Sequence, residues 1–210
     1  MLPWLGSYLV DFYGPFRLFS SYLFLATLGT ALAGAATWFL LPRLWNRLPR
    51  DGGRAHAVGA EQSVGKPVGA GLIFMTILVI VCLLVLPFDW CRLEIFGLVI
   101  AAMLVGFVDD RKRGGLTELQ LGAADFVIAL LGALAISRLQ PVTLWLPLYK
   151  FPLTVSPWIF VPLGTALIWL AINATNCTDG VDGLSGSLTA LAFVFLGAIL
   201  YAVVGHVDIS

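Results

Sequence analysis

Long stretches without a charged residue dominate this sequence. Residues 18–42, 69–88, 151–178 and 183–207 contain no Asp, Glu, Lys or Arg. About 20 mostly apolar residues allow an α-helix to cross the hydrocarbon core of a membrane, where the helix must satisfy its own backbone hydrogen bonds. Because hydrophobic residues make up 60% of the 210 residues and charged ones only 11%, an ordinary soluble domain is excluded. The fold predicted from these features is an all-α, polytopic transmembrane helix bundle.

Two further stretches predict spans although each contains charge. The apolar run at residues 95–108 is too short unless its helix extends back through Arg92 and Glu94, whose side chains can reach the headgroups. The run at residues 119–139 contains Asp125, a carboxylate that is costly in lipid and should lie near the interface or face other helices. We therefore predict one membrane domain, residues 1–210, with six spans at about 19–42, 69–88, 92–108, 120–139, 158–176 and 184–205.

The positive residues predict the orientation of the bundle. Short cytoplasmic loops carry an excess of Lys and Arg, and residues 43–66 and 111–113 hold eight of the twelve. We therefore expect those loops to lie in the cytoplasm and both chain ends outside it. On the outer side, apolar residues alternate with others between Pro141 and Pro157, which predicts a short extracytoplasmic hairpin.

Composition also excludes several kinds of site. Twelve acidic residues balance twelve basic ones, so no basic surplus draws the chain to nucleic acid. The three cysteines have neither CxxC nor Cys/His spacing, which excludes a zinc site and a disulfide framework.

Acidic and amide side chains gather at the predicted cytoplasmic ends of two spans. Asp109 and Asp110 end the third span, where adjacent carboxylates favour a bound cation or basic neighbours. The alternative is an acidic cap balanced by the basic residues that follow. At the end of the fifth span, oxygen-bearing side chains recur at every third position, and the glycines among them allow the chain to fold back. This second set consists of Asn173, Asn176, Asp179 and Asp182, and a helix stop followed by an Asp N-cap would explain only part of it.

A glycine-rich segment at residues 65–71 precedes the second span on the same predicted face. Its backbone N–H groups could approach an anion, with Lys66 adding positive charge. The glycines could equally allow close helix packing, which we consider the stronger interpretation. Together with the two acidic clusters, the segment suits a divalent cation such as Mg²⁺ and a phosphorylated substrate at a membrane surface.

Three phrases of the sequence are similar to those of a known enzyme family. GKPVGAGL (65–72), GFVDD (106–110) and NATNCTDGVDGL (173–184) resemble the polyprenyl-phosphate N-acetylhexosamine-1-phosphate transferases. Thr178-Asp179-Gly180 and the phrase FRLFSSYLF (16–24) resemble the members that move phospho-MurNAc-pentapeptide from its UDP carrier to undecaprenyl phosphate. The resemblance implies Mg²⁺, release of UMP, formation of lipid I in peptidoglycan synthesis, and a site on the cytoplasmic face of the bacterial inner membrane.

The resemblance also implies roles for individual residues. Asp109 would act as the base, and Asp110 and Asp182 would support the metal or the diphosphate. The resemblance therefore makes all three catalytic candidates. It makes Asp110 and Asp182 the metal ligands. The residues implied to bind substrate are Asn173, Asn176, Asp179 and Lys66.

Departures from the family pattern leave the substrate open. Ser63 stands in place of a Lys, Gly69 and its neighbours replace a Thr-Pro-Thr-Met-Gly-Gly phrase, and Leu121 and Asp125 replace a Lys and a Gln. The family has about ten spans, so this chain resembles the N-terminal part of a longer transferase, and we expect it to be inactive alone.

A transferase for UDP-GlcNAc or a related sugar is the alternative. An ion transporter or channel is less favoured because transport paths place carboxylates near the bilayer midplane. A homodimer is left open.

Overall fold

The computed structural model describes residues 1–50, 64–112, 114–144, 151–178 and 184–199. Helices dominate these residues, and the only strands in them form one hairpin. The elements are α1 (Leu2–Leu9), α2 (Tyr22–Leu44), α3 (Gly71–Val85), α4 (Trp90–Arg111), α5 (Glu118–Ser137), β1 (Val142–Leu144), β2 (Leu153–Val155), α6 (Pro157–Thr178) and α7 (Leu184–Ile199), with 3-10 turns at Gly14–Ser20 and Trp45–Arg47.

A helix occupies each of the six predicted positions, which confirms the all-α membrane fold. Among the described residues, the helices long and apolar enough to cross a membrane are α2 with its 3-10 extension, α4, α5 and α6. The other two, α3 and α7, are apolar but shorter. As expected, α4 extends back through Arg92 and Glu94, and α6 begins at Pro157 rather than at Phe151. The short helix α1 was not predicted.

Consecutive helices are neighbours in space, from α2 through to α6. Because each reverses the direction of the one before, the start of α3, the end of α4, the start of α5 and the end of α6 lie at one end of the bundle. We call this the motif end, and the opposite end the hairpin end.

Two packing regions hold the bundle together. Buried aliphatic residues of α2 and α3, among them Leu25, Ile77 and Val85, form the larger cluster. Small residues form the second region, where Ala129 and Ala133 of α5 are fully buried and a methyl group at Gly164 of α6 would lie 3.4 Å from the Cβ of Ala133. Small side chains let helix backbones approach closely in a membrane, where apolar burial does not drive association.

The hairpin end contains the predicted hairpin. β1 and β2 pair antiparallel, with Thr143 opposite Thr154 at the centre of the register. At the same end, Arg138 Nη2 lies 3.5 Å from Glu94 Oε2, and the amino group of Met1 donates hydrogen bonds to three carbonyl groups in the last turn of α3 and just after it. The prediction of an extended hairpin between Pro141 and Pro157 is therefore confirmed.

Candidate functional site

The motif end contains every predicted site residue that the structure describes. Asp109 and Asp110 lie in the last turn of α4, and Lys66 precedes α3. Asn173 and Asn176 lie in the last two turns of α6. Lys66, Asp110 and Asn176 are exposed, whereas Asp109 and Asn173 are half-buried. Asp179 and Asp182 lie outside the described residues.

Asp109 is held by the connector between α4 and α5. Its Oδ1 accepts a hydrogen bond from the backbone N–H of Leu116, with a nitrogen–oxygen distance of 2.6 Å. Thr117 then begins α5 with a capping box, since its Oγ1 accepts from the N–H of Gln120 and the Gln120 Oε1 accepts from the N–H of Thr117. The carboxylate of Asp109 is therefore fixed relative to both helices.

The glycine-rich segment contacts the helix that carries the paired aspartates. A methyl group at Gly69, where φ is +77°, would lie 3.0 Å from Cδ2 of Phe107 and 3.6 Å from Cγ of Pro49. The segment is also fixed to the end of α2, because Val68 donates a backbone hydrogen bond to Pro49 and Arg50 Nη1 donates to the Gly65 carbonyl. This close contact agrees with the packing interpretation of the glycines and brings residues 65–71 next to GFVDD.

Asp125 faces protein rather than lipid. It lies two turns into α5, and its residue surface is only 6% exposed. The expectation that it lies near the interface or faces other helices is therefore confirmed.

An interhelical hydrogen bond fixes the end of α6 against the start of α5. Trp169 Nε1 donates to the Gly122 carbonyl at 2.9 Å, and the Trp169 ring meets the Phe126 ring edge to face with centroids 6.5 Å apart. One turn later, Asn173 Nδ2 donates to the Trp169 carbonyl at 2.9 Å. The side-chain amide of Asn173 is therefore oriented by its own helix, which leaves its Oδ1 as an acceptor.

The described residues alone do not complete a metal site. Within residues 1–50, 64–112, 114–144, 151–178 and 184–199, no three acidic, histidine or cysteine side chains are placed to hold a metal ion. The carboxylates of Asp109 and Asp110 nevertheless supply the oxygen atoms that Mg²⁺ prefers. Of the two implied metal ligands, Asp110 is described and Asp182 is not.

An apolar groove of about 1230 Å³ lies elsewhere, between α2, α3 and α7. Its lining includes Gly29, Trp38, Phe74 and Phe193 but no charged residue. None of the predicted site residues lines it. The polar chemistry of the described residues is therefore found at the motif end and not in this groove.

Two features of the motif end were not predicted from the sequence. One is the hydrogen bond from Leu116 to Asp109, and the other is the contact of Gly115 with the same carboxylate, where a methyl group would lie 3.0 Å from Oδ1. The sequence contains signals for a tight turn at this point. Gly-Gly follows the paired aspartates closely, and a Thr-x-x-Gln capping box starts the next helix.

Comparison with known proteins gives consistent matches. Residues 92–210 match the model of glycosyl transferase family 4. The chain is 38% identical, over 96% of its length, to phospho-N-acetylmuramoyl-pentapeptide-transferase of Treponema pallidum (strain Nichols), and covers 56% of that protein. Proteins of the same name from Ruegeria sp. (strain TM1040) and Trichormus variabilis are 34% and 29% identical over 76% and 85% of this chain, which covers 46% and 50% of them. The chain thus spans about half the length of these curated relatives.

Proposed function

This chain belongs to glycosyl transferase family 4, and on that premise we propose that it forms part of the enzyme that makes lipid I. In the proposed reaction, phospho-MurNAc-pentapeptide passes from its UDP carrier to undecaprenyl phosphate with release of UMP. The chain would lie in the bacterial inner membrane with the motif end facing the cytoplasm. That orientation follows from the excess of Lys and Arg in the loops at this end.

The observation that carries the proposal is the contact of the glycine-rich segment with the helix of the paired aspartates, beside α5 and α6. Phe107 lies against Gly69, Asp109 accepts a hydrogen bond from Leu116 just before α5, and Trp169 bonds to Gly122 one turn before Asn173. All three motifs therefore have described residues at one end of the bundle. A membrane surface is where a water-soluble nucleotide can meet a lipid-borne acceptor.

In the proposed mechanism, an oxygen of the lipid phosphate attacks the sugar-linked phosphorus of the donor. The new phosphorus–oxygen bond forms as the bond to the bridging oxygen breaks, and UMP leaves with that oxygen and its electron pair. Asp109 takes the proton of the lipid phosphate, and its hydrogen bond from Leu116 limits the movement of the carboxylate. Asn173, Asn176, Asp179 and Lys66 would bind the donor.

Asp110 and Asp182 would hold the Mg²⁺ ion. When bound, such an ion neutralises charge on a diphosphate. Asp110 suits this role because its side chain is exposed at the motif end, one residue after the anchored Asp109.

The test uses membranes that contain the full-length protein encoded by the gene. They receive UDP-MurNAc-pentapeptide, undecaprenyl phosphate and Mg²⁺, and UMP release is measured. We expect release that depends on both substrates. With folded protein, absence of UMP would reject the proposal, and release only from UDP-GlcNAc would favour the alternative sugar.

Asp109→Asn provides the residue-level test. Asn keeps the size of the side chain and an oxygen to accept from Leu116, but removes the base, so we expect kcat to fall by at least about a hundredfold. The matched control is Asp89→Asn at the hairpin end, where the Asp89 side chain makes no capping hydrogen bond to α4. Equal activity of the two variants would contradict the role of Asp109.

A further inference from the structure

The connector between α4 and α5 holds one oxygen of the Asp109 carboxylate by a hydrogen bond. Lys112 donates its N–H to the Val108 carbonyl, and the N–H of Gly115 bonds to the Lys112 carbonyl at 2.9 Å. The next N–H, that of Leu116, bonds to Asp109 Oδ1. This N–H therefore holds one of the two oxygens of the Asp109 carboxylate.

Two consecutive glycines precede Leu116, and their surroundings differ. Gly114 and Gly115 both have left-handed backbone angles, with φ of +86° and +72°. A methyl group at Gly114 would meet nothing within 4 Å, whereas one at Gly115 would lie 3.0 Å from Asp109 Oδ1 and 3.8 Å from its carboxyl carbon. Ordinary contacts of this kind are 3.4–4 Å, so the carboxylate would have to shift by a few tenths of an ångström.

We propose that Gly115 is a positioning residue for Asp109. The missing side chain lets the Gly115 backbone lie against Oδ1, so that the Leu116 N–H can hold the carboxylate. The inference rests on the proposed function for its catalytic consequence. The contact between Gly115 and Asp109 can be tested without it.

The experiment compares substitutions at the two glycines in the full-length enzyme. Gly114→Ala and Gly115→Ala impose similar backbone strain, but only the second adds an atom against Asp109. Gly114→Asn and Gly115→Asn form a second pair, because Asn tolerates the left-handed region and still carries a Cβ. The rate of UMP release per folded enzyme and the melting temperature are measured for all four.

We expect both substitutions at Gly115 to lower kcat about tenfold, since a displacement of a full ångström costs about a hundredfold, while KM for the nucleotide stays within about twofold. Both substitutions at Gly114 should keep kcat within about twofold of wild type. If Gly115→Asn restores activity, or if the two positions lose equal activity, the carboxylate contact is not the cause and the inference fails.

Melting temperatures test the contact even if the substrate assignment is wrong. Gly115→Ala should lower the melting temperature by about 2–4 °C more than Gly114→Ala, because the added methyl overpacks the carboxylate. In an Asp109→Ala background the two alanine variants should melt alike, since the facing oxygen is gone. A difference that persists in that background refutes the inference. Wild-type enzyme that makes no UMP, with this melting pattern intact, refutes only the proposed function.

Discussion

Replacing Gly69 by Ala tests how the glycine-rich segment and the paired-aspartate helix are joined. The new methyl group would lie 3.0 and 3.2 Å from two ring carbons of Phe107, and the residue would keep a φ of +77°. The left-handed backbone costs an alanine about 1–2 kcal/mol. Overpacking against the ring adds about 1–3 kcal/mol.

Gly65 provides the matched control for the backbone effect. Its φ is +82°, and a methyl group there would meet nothing within 4 Å. Gly65→Ala should therefore lose only about 1–2 kcal/mol, so Gly69→Ala should be the less stable variant by about 1–3 kcal/mol. At about 2–4 °C per kcal/mol for a chain of this size, the two melting temperatures in detergent should differ by at least about 2 °C.

A second substitution isolates the ring. Phe107→Ala removes the ring atoms that face Gly69, so in that background Gly69→Ala should cost no more than Gly65→Ala. Equal melting temperatures of Gly69→Ala and Gly65→Ala in the wild-type background would refute the reasoning. So would a penalty at Gly69 that persists after alanine has replaced Phe107.

Three further substitutions test the motif end by melting temperature. Trp169→Phe keeps the ring but removes its hydrogen bond to α5, and should cost about 0.6–1.5 kcal/mol; no change would show that the bond contributes nothing. Thr117→Ala removes the cap of α5 and should cost about 1 kcal/mol, whereas Thr117→Ser should cost less; equal losses would argue against the cap. Asp125→Gln removes a buried carboxylate from an apolar helix, so the protein should gain on the order of 1 kcal/mol. A lower melting temperature would instead reveal a favourable partner of Asp125.

The sequence predicted the helices and the hairpin because their signals are local. Charge-free runs mark the helices, and the alternation after Pro141 marks the strands that pair at Thr143 and Thr154. The position of Asp125 was predictable for the same reason, since a carboxylate in an apolar helix has few places to lie at tolerable cost. The short helix α1 lacks such a signal, because its eight residues are too few for a span.

The geometry around Asp109 was not predictable from residue types alone. The bond to Leu116 follows two left-handed glycines, and Gly-Gly permits many conformations before the neighbouring helices are placed. The contact of Gly69 with Phe107 joins residues far apart in sequence, so it depends on how α3 and α4 pack. The roles of Asp179 and Asp182 stay predictions, since both lie outside the described residues.

The packing of α5 explains how acidic and amide residues from separate helices can gather at one end of the bundle. A methyl group at Gly132 would lie 3.6 Å from Cδ1 of Ile168 in α6 and 3.9 Å from Cδ1 of Leu98 in α4, so α5 has apolar contacts with both neighbouring helices. Charged side chains cost least where a helix end meets water, and about 22 Å of helix, at 1.5 Å per residue, separates Asp109 from Glu94 at the hairpin end. Close packing of α5 against α4 and α6 therefore fixes the relative positions of the helix ends that carry Asp109 and Asn173. A charged donor could then enter from water while its acceptor stays in lipid, which is the arrangement that the proposed transfer requires.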